Sequence, residues 1–390
     1  MHLESITLQS IRCFAYVRLN IDHRVTILTG ANGVGKTTLL EGAYATLSGH
    51  YLRPGGLSAL MARGSQISTA HSEMFDEKGR ARHFRLVLTP TSSQIFIDNE
   101  PAPKRSLVTL RSPLCVFTPQ RVELIRGQPG VRRLHFDRLA ALLIPRVDAV
   151  IRSYREAVAQ RTACLAAHHP GALDAWEEQL ARLGAELVAA RLQVLESLAP
   201  LLTEEAEQLG LATCQLRYGA PDCELDAEGI SRALVASRMR DARLRTTTVG
   251  PHRHDVILTI ARQPAKTFAS QGEQRTLVLA LILAEARLIA AWRGSEPLLL
   301  LDDPLGELEE RRRRLLIARA GALGQTLITS TDTYFCPSLT DTTDTCLVDV
   351  SALRQGARPP KHLSPPAPST HVNPSHHAAT TTSLIARDPQ

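Results

Sequence analysis

Residues Gly30-Ala31-Asn32-Gly33-Val34-Gly35-Lys36-Thr37 fit the pattern G-x-x-x-x-G-K-[ST] at every fixed position. The flanks match what that pattern needs mechanically. A β-branched run, Arg24-Val25-Thr26-Ile27-Leu28-Thr29, precedes it, and Thr37 to Ser48 read as a helix. Glycines let backbone N–H groups close around phosphate oxygens, and the helix N-terminus adds a favourable dipole. Lys36 is placed to reach β- and γ-phosphates and Thr37 to offer its hydroxyl to Mg²⁺. The candidate nucleotide site is therefore Gly30, Ala31, Asn32, Gly33, Val34, Gly35, Lys36, Thr37 and Thr38, with ATP and Mg²⁺ as expected cofactors. The competing reading is a chance glycine-rich turn. A strand, loop and helix of this kind commit the chain to an α/β fold of the P-loop NTPase type.

A second element depends on the first. Leu298-Leu299-Leu300-Leu301 is a continuous apolar run followed by Asp302-Asp303. Such a run suits a central parallel strand buried on both faces, whose carboxyl end lies beside the phosphate loop. Asp302 is expected to hold Mg²⁺ with Thr37. Asp303 is expected to polarise an attacking water, a catalytic role shared with Lys36. Alone, a greasy strand ending in two acids says little; after a phosphate loop it says much more.

Composition bounds the rest. Of 390 residues, 44% are hydrophobic and 22% charged, which supports a real core and argues against a wholly disordered or multi-spanning chain. The longest apolar stretch, Leu277 to Trp292, is interrupted by Glu285 and Arg287 and is too short for a bilayer. Met1 to Phe14 carries Glu4 and no apolar core of a signal, so a cytoplasmic address without a membrane partner is expected. The seven cysteines include no CxxC pair, and scattered reduced thiols are expected. The net charge is +6, with lysine at only five positions, so arginine carries the positive charge. That balance permits nucleic-acid contact without showing it, since high genomic GC content also raises arginine.

Alternating runs at 6–21, 83–88 and 94–97 read as strands. From about Arg133 to Leu209 the chain turns helical. Leu173, Trp176, Leu180, Leu183 and Leu187 form a heptad-like stripe that blurs near Arg191 and resumes at Val194, Leu198 and Leu201. An amphipathic arm and a packed helical subdomain are both compatible with it. Strands return at 256–260, 297–301 and 325–329. Beyond about Gly356, Pro, His, Ser and Thr dominate. A disordered tail is expected at 357–390, with metal binding by its histidines the lesser alternative.

A third element, Ala269-Ser270-Gln271-Gly272-Glu273-Gln274-Arg275, precedes the apolar helix. It resembles the ABC signature in the form used by chromosome-maintenance ATPases. Further stretches narrow the likeness. They are Ser10-Ile11-Arg12-Cys13-Phe14, Phe117-Thr118-Pro119 running on to Arg132-Arg133-Leu134-His135-Phe136-Asp137, and Thr248-Val249-Gly250-Pro251-His252-Arg253. In that order they are similar to the RecF family of DNA replication and repair proteins, over roughly residues 3 to 350. The departures are His254 where the family usually has aspartate, and Leu305-Gly306-Glu307-Leu308-Glu309 in place of Ser-Glu-Leu-Asp, with Pro304 stiffening the turn before it. Thr329-Ser330 stand where ABC transporters place a switch histidine.

The resemblance implies an α/β ABC-type ATPase head with an inserted helical arm subdomain. The head is built from 1–126 and 246–356 and the arm from 127–245. It implies that Ser270 and Gly272 meet the γ-phosphate held by a second subunit, in an ATP-dependent homodimer. Arg12 then approaches nucleotide phosphates or is a strand-end surface arginine, and Gln120 is a candidate for the glutamine that senses Mg²⁺. Arg132 and Arg133 read as a solvated helix face, before DNA contacts or partners of nearby acids. His252 and Arg253 read as structural braces before nucleotide contacts.

The implied function is closure of two heads on DNA at single-strand/double-strand junctions. With RecR and RecO, this promotes RecA loading on gapped DNA, in the nucleoid-associated cytoplasm. The implied enzyme is a slow DNA-linked ATPase, Asp303 being a shorter acid than glutamate. The alternatives are another cytoplasmic ABC-type chromosome or anti-phage ATPase, a module that binds ATP but barely hydrolyses it, and a transporter ATPase. The arm and Glu273 speak against the last.

Overall fold

A computed structural model describes residues 2–53, 55–76, 78–102, 113–167, 170–221, 224–306, 308–331 and 344–356. The tail at 357–390, Glu307, Cys223 and Cys336 lie outside the described residues. In chain order the strands are β1 (His2–Ile11), β2 (Phe14–Asn20), β3 (Val25–Thr29), β4 (Ser68–Phe75), β5 (Ala81–Leu88), β6 (Ser93–Ile97), β7 (Glu100–Pro101), β8 (Leu114–Phe117), β9 (Cys214–Gly219), β10 (Asp255–Ile260), β11 (Gln263–Pro264), β12 (Leu298–Asp302), β13 (Thr326–Thr329) and β14 (Thr345–Asp349). The helices are α1 (Lys36–Ser48), α2 (Glu123–Arg126), α3 (Pro129–Leu143), α4 (Val147–Ala167), α5 (Pro170–Gln208), α6 (Ala227–Leu244), α7 (Ala265–Phe268), α8 (Gln271–Arg293), α9 (Glu310–Leu323) and α10 (Val350–Gly356).

The centre is a parallel sheet in the order β14-β3-β13-β12-β8. Every residue of β3, β12 and β13 is buried, which explains the continuous apolar run of β12 and why β3 and β13 are built of apolar residues and threonine alone. Alternation survives as a division between two cores. Val25, Ile27, Cys115, Phe117, Leu299, Leu301 and Ile328 join α8 and the helical region. Leu28, Val116, Leu298, Leu300 and Leu327 join α1 and a second, antiparallel sheet in the order β2-β1-β4-β5-β6-β7. Each such leucine contributes roughly 1.5–3 kcal/mol on burial. The helix α1 lies so close to β1 that a Cβ on Gly42 would come within 2.5 Å of Leu8.

The helix α8 is buried nearly all round, and this is what its long apolar run encodes. Its two interrupting charges are paired: Glu285 with His135 at 2.5 Å, and Arg287 with Glu204 at 2.6 Å and Glu205 at 3.1 Å. No helix among the described residues is long and apolar enough to cross a membrane.

The heptad-like stripe lies on the 39-residue α5, where Leu180, Leu187, Val194 and Leu198 are buried against α4, α6 and α8. The break at Arg191 is a buried ion pair: its guanidinium grips both oxygens of Asp137, at 2.8 and 3.1 Å. Arg161, fully buried, joins α4 to Glu177 of α5 at 3.0 Å and to Asp241 of α6 at 2.7 Å. One hydrophobic core runs from these helices into the parallel sheet.

The segment 256–260 is a strand, but it belongs to neither large sheet. It forms a three-stranded sheet, β11-β10-β9, whose β9 falls in a stretch where no strand was expected. The solvated-face expectation for Arg132 and Arg133 is overturned. Arg132 is buried and holds Asp255 through Nε and Nη2, both at 2.8 Å, and Arg133 donates to the His254 carbonyl at 2.6 Å. The helix pattern could not show it, because the partners come from about 120 residues away.

Candidate functional site

The loop between β3 and α1 is built on positive-φ glycines: Gly30 at 137°, Gly33 at 79° and Gly35 at 116°. Gly35 is required twice over. It is the N-cap of α1 in the left-handed region, and a Cβ there would lie 2.4 Å from the Phe14 ring. No side chain caps this helix, so its first N–H groups face the loop as an anion cradle. Ala31, Asn32 and Gly33 are exposed, Val34 is partly buried, and Thr38 is buried in the first turn.

Lys36 is buried, and its Nζ donates to the carbonyls of Gly30 at 2.6 Å and Ala31 at 2.9 Å. Burial lowers its pKa, opposed by the nearby carboxylates of Asp303 and Asp302. Thr37 Oγ1 donates to Asp302 Oδ1 at 2.7 Å, and Thr329 Oγ1 donates to the same oxygen at 2.8 Å. The Thr329 hydroxyl in turn accepts the Asp303 N–H at 2.8 Å. One hydroxyl therefore ties the carboxyl ends of neighbouring strands β12 and β13. Asp303 has φ 48°, a left-handed backbone uncommon outside glycine, and its side chain is 37% exposed. Arg275 of α8 is stacked over Phe117, donates to the Asp303 carbonyl, and lies 3.9 Å from its carboxylate. Sequence reasoning gave neither Thr329 nor Arg275 this place. A hydroxyl after a strand is too common to signal one, and Arg275 appeared only within the signature.

The two side chains that meet at this junction, Thr37 and Asp302, offer oxygen atoms, which fits a hard cation such as Mg²⁺. The glycine loop, buried ammonium and uncapped helix end fit the phosphates of a nucleotide.

The remaining expected residues lie apart. Ser270 is the N-cap of α8, in a capping box with Glu273 (2.8 and 3.3 Å), so the signature opens the helix instead of preceding it. Ser270 and Gly272 are exposed, and no hydrogen bond among the described residues joins them to the phosphate loop. Arg12, at φ 47°, sits in the β1–β2 turn, two residues before the Phe14 of β2 that packs on Gly35. Its guanidinium meets Tyr51, the Ala59 carbonyl at 3.3 Å and the buried Glu41 at 3.5 Å, and Arg53 flanks Glu41 at 2.6 Å. Gln120 is exposed on the turn after β8, and its side chain makes no hydrogen bond among the described residues. His252 bridges the Tyr154 hydroxyl at 2.8 Å and the Thr247 carbonyl at 2.9 Å, a bracing role. His254, the departure from the resemblance, is held by Glu224 at 3.0 Å and Tyr218 at 2.9 Å.

A family model described as an AAA domain matches residues 5–100, which include the phosphate loop. The DNA replication and repair protein RecF of Streptomyces avermitilis is 34% identical over 354 residues, covering 85% of this chain and 93% of that protein. The RecF of Anaeromyxobacter sp. is 33% identical over 344 residues, with the same coverages. A solved structure of the recombination mediator protein RecF with ATP, in the RecFOR pathway, superposes with a TM-score of 0.78 at 21% identity. It covers 90% of this chain and 96% of its own. An Smc head bound to the C-winged helix domain of ScpA superposes at 0.56 and 14% identity, over 90% of this chain and 94% of its own. These likenesses show the fold expected from sequence, an ABC-type ATPase head carrying an inserted helical subdomain.

Proposed function

The chain belongs to the RecF family of DNA replication and repair proteins, and from that premise we propose that it is an ATP-dependent recombination mediator. ATP closes two heads on DNA at single-strand/double-strand junctions. With RecR and RecO, the closed dimer promotes RecA loading in gap repair, and slow hydrolysis reopens it. The observation that carries the reading is the hydrogen-bonded chain Thr37–Asp302–Thr329–Asp303, which joins the start of α1 to the carboxyl ends of adjacent parallel strands, with Lys36 beside it on the carbonyls of its own glycine loop. The capped start of α8 stands exposed, apart from that set.

Each residue has a distinct task. Gly30 to Thr38 and the α1 N-terminus bind phosphates, and Lys36 exchanges its loop carbonyls for phosphate oxygens. Thr37 and Asp302 would hold Mg²⁺, which with ATP supplies the phosphoryl group and the charge neutralisation for its transfer. Thr329 orients Asp302 and fixes the Asp303 backbone. Asp303, partly exposed, takes the proton of the attacking water. Arg275 positions Asp303 from the helix that begins at Ser270, so a second head docking at Ser270 and Gly272 would act on the acid through one helical turn.

The test is sedimentation of wild type and Lys36→Ala, with and without ATP and gapped DNA. Wild type is expected to dimerise with ATP, and the variant to lose most ATP affinity and stay monomeric. Unchanged ATP affinity in the variant would count against the site itself.

A further inference from the structure

The outer face of α6 (Ala227–Leu244) gathers exposed arginines at its C-terminal end. Its inner face is committed: Ile230, Leu234, Ser237 and Asp241 are buried. Its exposed acids sit at the N-terminal end, where Asp226 caps the helix through the Gly229 N–H at 2.7 Å and Glu228 pairs with Arg232. At the C-terminal end Arg240, Arg243 and Arg245 are exposed, and exposed Arg253 adjoins them from the loop behind. Two of these guanidiniums are fixed by that loop. Arg240 Nη2 donates to Thr248 Oγ1 at 2.5 Å, and Arg253 reaches Thr246 Oγ1 at 3.1 Å and the Thr247 carbonyl at 2.9 Å. The side chains of Arg243 and Arg245 make no hydrogen bond or ion pair among the described residues. Met239, 87% exposed, and Leu244, 55% exposed, stand among them.

Local electrostatics do not account for four arginines there. The C-terminus of a helix carries about half a negative charge, which one arginine offsets. Among the described residues the one carboxylate that meets the cluster, Asp241, is buried and already holds Arg161 at 2.7 Å and the Thr248 hydroxyl. The excess positive charge therefore faces outward. It is borne by planar forks that match phosphate oxygens bidentately, two of them preset by their threonines.

We propose that the C-terminal end of α6 and the 246–253 loop bind the sugar–phosphate backbone of DNA, through Arg240, Arg243, Arg245 and Arg253. The proposal rests on the DNA reading above and assigns it a surface. Met239 and Leu244 lie against sugar edges, and the contact is indifferent to base sequence.

The experiment is anisotropy of labelled gapped duplex with ATP, from about 50 to 200 mM salt. The variants are Arg243→Ala with Arg245→Ala, and Arg243→Lys with Arg245→Lys. Each lost phosphate contact lowers the salt slope by about 0.9, so the alanine pair should flatten it by about two and weaken binding roughly 30-fold near 0.15 M. The lysine pair should keep the wild-type slope, and both should bind ATP as wild type does. A wild-type slope and affinity in the alanine pair would overturn the assignment and leave this face to an acidic protein. Loss of slope in the lysine pair would overturn it too, since the charge is retained. Wild-type protein that binds no gapped DNA would instead overturn the DNA reading beneath it.

Discussion

Asp303 carries its carboxylate on a left-handed backbone, held there by the Thr329 hydroxyl at its N–H and by Arg275 at its carbonyl. Asparagine tolerates that backbone better than most residues, so Asp303→Asn should fold and bind ATP. It lacks the proposed base, and hydrolysis should fall by about 10²-fold or more while ATP-closed dimers persist. Single-turnover phosphate release with sedimentation checks both; a wild-type rate would remove Asp303 from the chemistry. His252 gives a second test. The Thr247 carbonyl can only accept, so Nε2 carries the proton and Nδ1 accepts from Tyr154. Burial, more than the nearby Arg253 and Arg133, pushes its pKa down to about 4. Between that value and the ordinary value of about 6.5, the unfolded chain binds a proton that the folded chain does not. Stability should therefore fall as pH drops through that window. Urea midpoints at pH 7 and 5 should converge in His252→Gln relative to wild type.

At the scale of elements, α8 links one surface to one acid: it is capped by the exposed Ser270 and reaches Asp303 through Arg275. Ser270→Arg should leave monomeric ATP affinity near wild type, and abolish dimerisation and hydrolysis. Mixing it with Lys36→Ala should restore at most one composite site. A normal rate from Ser270→Arg alone would refute the arrangement. The elements of the site were legible because each is local: β3 with its loop and α1, β12 with its two acids, and α8 with its apolar run all span under 25 residues. What was not legible depends on distant partners. Arg132 looks like a surface residue until Asp255 arrives 123 positions later, and Thr329 is an ordinary strand end until it is bonded to Asp302. The strand β9 is short and follows a long helix, so its alternation carried too little weight against the helical context.

For the molecule, contacts gather Met1–Ala357 into one unit, with a core continuous from the helical region into the parallel sheet. The parallel sheet and the helical region should therefore unfold together. The two tryptophans report on each: Trp176 lies on α5 and Trp292 on α8. Single-tryptophan variants should give coincident urea transitions, and separated midpoints would show two cooperative units. The parallel sheet also has a temporal side. Its phosphate-loop strand, β3, lies between β13 and β14, and the backbone of Leu3 is bonded to the side chain of Gln325. On a ribosome adding about 5–20 residues per second, β3 waits roughly 15–60 s for β13 to emerge. Through that interval its apolar residues have no sheet partner, so the nascent chain cannot hold nucleotide until nearly all of it is made. A messenger interrupted before β12 yields a phosphate-loop sequence with no phosphate site.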